Sequence, residues 1–183
     1  MWHHVDETER RAWQNPEEIL NTASLKAGFT SVDIGCGQGY FTLPAARIVG
    51  FSGKVYGLDV DNMGIEKLRK RASTEKLTNI ELITGAAEDT PVCSGCADMV
   101  FFGIVLHDFN DPAKVLRNAR KMLKPGAKLV NLDWKKETMN MGPPLAKRFD
   151  KETASRLIES AGFKIETVQN LGQFIYLIIA RLV

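Results

Sequence analysis

The densest chemistry in the chain lies in Val32-Asp33-Ile34-Gly35-Cys36-Gly37-Gln38-Gly39-Tyr40-Phe41. A β-rich run carries a carboxylate and then three alternate glycines, which let a backbone turn sharply and approach a ligand closely. The order is G-x-G-x-G. The dinucleotide fingerprint is G-x-G-x-x-G, and Tyr40 stands where its third glycine belongs. No Lys-Ser or Lys-Thr phosphate pair follows. The cradle is therefore present without the features that hold a pyrophosphate or triphosphate, and Asp33 suits a cationic or amine-bearing ligand. Asp59 closes the next β-rich run, where a carboxylate accepts from the two hydroxyls of an adenosine ribose. Each residue alone has an ordinary explanation as a turn glycine or helix cap; the order and spacing together carry the weight.

These residues sit in an alternation of short β-rich runs and helical stretches, the pattern of a parallel sheet covered on both faces. The runs fall at 31–34, 54–60, 80–84, 99–105 and 128–133, the fourth apolar except for Gly103. Helices are expected at 40–49, after Asp61 or Asn62 with Ile65, Leu68 and Ala72 on one face, after Asp111-Pro112, and after Asp150. Two last runs, 164–168 and 174–181, leave no room for a crossover helix and should form an antiparallel hairpin. The opening 7–25 is helical in character, interrupted at Asn15-Pro16. With no repeat and no linker, 1–183 reads as one α/β domain: 1–27 is a helical segment over the site or at the sheet edge, and 28–183 is the core.

Asp33-x-Gly35-x-Gly37-x-Gly39 resembles motif I of the class I S-adenosylmethionine-dependent methyltransferases. The similarity runs on through Gly57-Leu58-Asp59-Val60-Asp61, Gly85-Ala86-Ala87-Glu88-Asp89-Thr90-Pro91 and Asp98-Met99-Val100-Phe101. It continues in Leu106-His107-Asp108-Phe109-Asn110-Asp111-Pro112 and Leu123-Lys124-Pro125-Gly126. The branch it most resembles is the type 11 domain of ubiquinone and menaquinone C-methyltransferases. The resemblance implies a Rossmann-like three-layer α/β/α sandwich on a seven-stranded, mostly parallel sheet, order 3-2-1-4-5-7-6 with strand 7 antiparallel. It implies S-adenosylmethionine as cofactor and S-adenosylhomocysteine as product. Asp33, Gly35, Gly37, Gly39 and Gly103 would then surround the methionine and ribose, and Asp59 would bind the ribose. Val60 and Met63 would flank the adenine, with Ala86, Ala87 and Glu88 at its edge. Family members often carry an acid where this chain has Ala86, so adenine recognition is expected from the backbone near Ala87 and from Glu88 or Asp89.

A sulfonium methyl is already activated, so the chain's task would be to align an acceptor in line with it and exclude water. Acceptor-side candidates follow the fourth and fifth runs: His107, Asp108, Asp133, Trp134 and Lys135. His107 titrates nearest neutrality and suits a general base, while its ordinary reading is a loop histidine that packs. Asp108 and Asp111 read as helix starters. Cys93-Ser94-Gly95-Cys96 has knuckle spacing, but no second pair lies nearby and the chain's third cysteine is Cys36. No metal site and no disulfide framework are expected; arsenite, which thiols bind, is a minor alternative acceptor.

The bulk properties are compatible. The formal charge is +2, and the basic run 67–71 reads as a solvated helix face, so nucleic acid is not the expected partner. No stretch reaches the about 18 apolar residues of a membrane span, and the first residues lack the form of a secretory signal. A cytoplasmic setting and a small-molecule acceptor are expected; oligomeric state is not legible. The rival readings are a nicotinamide-dependent oxidoreductase and a non-catalytic S-adenosylmethionine-binding module.

Overall fold

A computed structural model describes residues 6–183. The first five residues, part of the segment expected to carry no secretory signal, lie outside the described residues. The chain forms one seven-stranded sheet in the order β3-β2-β1-β4-β5-β7-β6. Strands β1 (Thr30–Ile34), β2 (Lys54–Asp59), β3 (Ile80–Thr84), β4 (Ala97–Gly103) and β5 (Leu123–Trp134) pair in parallel. The final hairpin, β6 (Phe163–Leu171) and β7 (Ile175–Leu182), is antiparallel, and β7 also pairs antiparallel with β5. Order, direction of pairing and the hairpin agree with the expectation.

Alternation along the central strands explains the layering. Met99 and Phe101 of β4 pack with Phe41, Ala45 and Val49 on one face; Val100 and Phe102 pack with Val115, Leu116 and Ala119 on the other. Burial on both faces is what a central parallel strand requires, since crossover helices cover each side. The covering helices are α3 (Thr42–Val49), α4 (Asn62–Thr74), α5 (Pro112–Met122) and α6 (Lys151–Ser160). Short α1 (Glu7–Trp13) and α2 (Pro16–Thr22) precede the sheet. Their starts follow the capping chemistry in the sequence. Asn15 accepts from Glu17 N–H ahead of Pro16, Asp61 from Met63 N–H, Asp111 from Lys114 N–H and Asp150 from Thr153 N–H. Lys67, Arg69 and Lys70 of the basic run are exposed.

Three details differ from expectation. α3 begins at Thr42 rather than Tyr40, because the third glycine, at φ 90°, still belongs to the turn. β5 starts at Leu123, before Pro125-Gly126, and its register with β4 shifts between Ala97 and Met99. Cys93 and Cys96, expected to be incidental, are joined as a disulfide between β3 and β4. That loop is held by Gly95 and Cys96 N–H groups on the carbonyls of Lys121 and Met122. This backbone clamp sets the two cysteines side by side, which sequence spacing alone did not show.

Candidate functional site

The strand ends of β1 and β4 face a cavity of about 850 Å³. Its floor is Asp33, Gly35, Cys36 and Gly37 from the first turn and Gly103 with Ile104 from the end of β4. At Gly37, φ is 52° and an added Cβ would meet nothing within 4 Å, so the missing side chain opens onto free space. Gly39 is different: an added Cβ would stand 2.2 Å from Leu68 Cδ1. Gly37 thus leaves room for a ligand, while Gly39 lets α4 pack against the loop and does not line the cavity.

Asp59 ties the ends of β1 and β2 together. One oxygen accepts from Gly37 N–H at 2.7 Å and the other from Asp61 N–H at 2.8 Å. Beyond it Val60 and Met63 are 69% and 72% exposed, which presents bare apolar surface beside a half-buried acid. At the end of β3, the carbonyls of Ala87 and Glu88 accept from Asn118 Nδ2 at 3.0 and 2.8 Å. The carbonyl of Ala86 accepts from Asp89 and Thr90. The N–H groups of Ala86, Ala87 and Glu88 have no partner among the described residues, which leaves three backbone donors just after β3. Asp89 turns away, to Lys114 Nζ at 2.7 Å.

Asp33 is buried, and its carboxylate oxygen accepts from Thr42 O–H at 2.6 Å. Burial raises its pKa from 3.8 to about 7; the Thr42 hydrogen bond pulls the other way, and the charge of Asp59 adds to the rise. A carboxyl poised there would be stabilised as a carboxylate by an incoming cation. Burial likewise pushes the Cys36 thiol far up, so it stays protonated, and it packs with Leu43, Ile65 and Leu68, away from Cys93 and Cys96.

The cavity's far wall comes from α1 and from the segments that follow β4 and β5. Trp13 of α1 packs on Trp134 at the end of β5, with centroids 5.3 Å apart, and edge-on to Phe174 at 5.7 Å. Asp6, Glu7 and Arg10 line the same wall, so α1 stands over the cavity. Arg71 of α4 donates to Gln38 O at 3.0 Å and pairs with Glu7 at 3.1 Å, joining the helix, the glycine loop and α4. Asn140, Met141 and Gly142 complete the rim. That loop hangs on Arg148, whose buried guanidinium donates to the carbonyls of Lys135, Glu137, Met141 and Pro143.

Of the acceptor-side candidates, Asp108 and Trp134 line the cavity. His107 and Asp133 lie behind them, fully buried, with His107 Nδ1 2.7 Å from Asp133 Oδ1. Asp133 Oδ1 also accepts from Trp134 N–H, so Nδ1 carries the donated proton and Nε2 is left bare. Asp108 Oδ2 lies 3.5 Å from Nε2. Burial lowers the His107 pKa, but the hydrogen bond and charge of Asp133 together outweigh it, and the net direction is upward. Lys135 points away, to Gly172 O. Ile104, a β-branched residue at φ 62°, sits on the cavity floor in a region that side chains avoid. Nothing in the sequence marked it.

Residues 25–171 match the methyltransferase domain family. Over 129 residues the chain is 31% identical to a demethylmenaquinone methyltransferase of Bacillus mycoides, covering 70% of this chain and 54% of that protein. It thus spans about half the length of that relative. The crystal structure of an S-adenosylmethionine-dependent methyltransferase from Aquifex aeolicus superposes with a TM-score of 0.91 at 27% identity, over 98% of this chain and all of that one. Phosphoethanolamine N-methyltransferase 2 of Haemonchus contortus, solved with S-adenosylmethionine, shares the fold at a TM-score of 0.78 and 16% identity, over 97% of this chain and 57% of that one. The chain belongs to the class I S-adenosylmethionine-dependent methyltransferase family, whose cofactor is S-adenosylmethionine.

Proposed function

We propose that the protein transfers the methyl group of S-adenosylmethionine to a small-molecule acceptor. The observation that carries this reading is one continuous cavity, with the glycine turn and Asp33 as its floor and Trp13, Trp134, Met141 and Asp108 as its far wall. The residues fit the cofactor. Asp33 suits the ammonium, Gly37 leaves space, Asp59 suits the ribose, Met63 and Val60 offer apolar faces for adenine, and the free N–H groups at 86–88 suit its edge. When bound, the cofactor supplies an activated methyl, and the chain supplies alignment, exclusion of water and proton control.

The paired rings of Trp13 and Trp134 favour a flat acceptor, and the demethylmenaquinone methyltransferase relatives support a quinone-like one. His107 is the base in this reading: Asp133 fixes its tautomer and Nε2 is the atom free to take a proton, beside Asp108 at the cavity. The proposed setting is the cytoplasm, where a reducing poise would leave Cys93 and Cys96 as thiols. Among the described residues no helix is long and apolar enough to cross a membrane.

The test is turnover, followed by mass spectrometry, with reduced demethylated quinones, phenols, amines, thiols and arsenite as acceptors. Formation of S-adenosylhomocysteine together with a singly methylated quinol or phenol, lost in Asp59→Ala, is the expected result. Cofactor binding without turnover on any acceptor would instead favour a non-catalytic binding module.

A further inference from the structure

The cofactor's amino-acid end is a zwitterion, and the glycine turn offers a partner for only one of its charges. Asp33 answers the ammonium. The carboxylate needs a cation or free N–H donors facing the same space. Two arginines line the cavity, Arg10 and Arg71. Arg71 is already committed at both terminal nitrogens, to Gln38 O and to Glu7. Arg10 is not. Its Nε donates to the Gln14 side chain and its guanidinium lies flat on the Tyr40 ring, 3.8 Å from the centroid. Among the described residues neither terminal nitrogen of Arg10 has a hydrogen-bond partner. The acids of its neighbourhood are spoken for: Glu7 pairs with Arg71 and Glu17 with Arg11 and Arg47. Asp33, close enough for its charge to act on Arg10, is bonded to Thr42. A half-buried cation with an unused bidentate edge is costly unless an anion arrives.

We propose that Arg10 binds the carboxylate of the cofactor's amino-acid moiety, so that α1 completes the cofactor site and docks over it when the cofactor is bound. This rests on the methyltransferase reading. Planar bidentate donation is the geometry in which arginine surpasses lysine for a carboxylate. The stack on Tyr40 keeps that plane fixed, and the Tyr40 hydroxyl donates to the backbone carbonyl of Gln14 just after α1. Trp13 on Trp134 and Glu7 on Arg71 pin the two ends of the same short helix. The helix buries no residue of its own. Its position therefore depends on these few contacts, and a carboxylate on Arg10 would add to them.

The test is a comparison of two ligands by calorimetry on folded protein. S-adenosylhomocysteine carries the amino-acid end, and methylthioadenosine lacks it. Arg10→Gln should weaken S-adenosylhomocysteine by at least about tenfold while changing methylthioadenosine by less than about twofold. Arg10→Lys should recover part of the loss. Cleavage of wild type by trypsin within residues 7–13 should also slow with S-adenosylhomocysteine and not with methylthioadenosine. Equal weakening of both ligands by Arg10→Gln would mean that Arg10 only docks the helix, and would overturn the proposal; so would unchanged affinity for S-adenosylhomocysteine. If wild type bound neither ligand, the cofactor reading itself would fail first.

Discussion

Asp33 is the residue at which burial and charge have the clearest consequence. Its pKa stands near 7 in the folded protein against 3.8 for an exposed aspartate. The folded state therefore binds more protons between those values, and the free protein should lose stability as pH rises from about 4 to about 7. Urea midpoints measured against pH should show this decline, and Asp33→Asn should flatten it. A bound ammonium favours the charged carboxylate, so affinity for S-adenosylhomocysteine should strengthen as pH rises through about 7 in wild type and not in Asp33→Asn. A pH-independent affinity in wild type would separate Asp33 from the ligand. His107 gives a second readout. As the base, it must be unprotonated, and Asp133 holds its pKa above the ordinary histidine value. Turnover should rise with pH through a midpoint above about 6.5, and that limb should vanish in His107→Gln. If the limb persists in the variant, His107 merely braces β4 against β5.

At the scale of the element, glycines four ångströms or less from their neighbours must be separated from those that face open space. Gly39→Ala would force a Cβ into Leu68 at a positive φ, and should cost about 2–4 kcal/mol of stability in denaturant melts. Gly37→Ala meets nothing and should melt within about 1–2 kcal/mol of wild type, yet lose most cofactor affinity. Equal destabilisation by the two would remove the distinction between packing and binding. The spacing G-x-G-x-G gave the turn but could not assign those separate tasks, since they depend on which side α4 packs. Arg148 shows the opposite case. Its four carbonyl partners lie within a loop whose sequence reads equally as an acceptor-side loop or a surface excursion, and only folding reveals a buried cation at its centre. Arg148→Ala leaves those carbonyls unpaired and should loosen 135–149, raising KM for the acceptor far more than KM for the cofactor.

For the whole molecule, the alternation of β-rich runs with helical stretches and the caps at Asn15, Asp61, Asp111 and Asp150 made the sheet, its helices and its closing hairpin legible, because each rests on local spacing. Of the far wall, Asp108, Trp134 and the N-terminal segment stood among the candidates, but the parts played by Arg10 and Met141 were not legible. Trp13, Arg10 and Met141 reach it from opposite ends of the chain, and no local pattern links them. The order of β1, β2 and β3 puts Asp33, Asp59 and the 86–88 turn at the same end of three neighbouring parallel strands, where the proposed cofactor site lies. Strand order thus makes the site a cofactor cradle, and later loops decide what else enters. The most direct measurement is a calorimetric titration of wild type and Asp59→Ala with S-adenosylmethionine, S-adenosylhomocysteine and NADH. One-site binding of the first two, none of NADH, and marked weakening by Asp59→Ala is the expected result. Binding of NADH in place of the sulfur ligands, or no binding of any of the three, would contradict it.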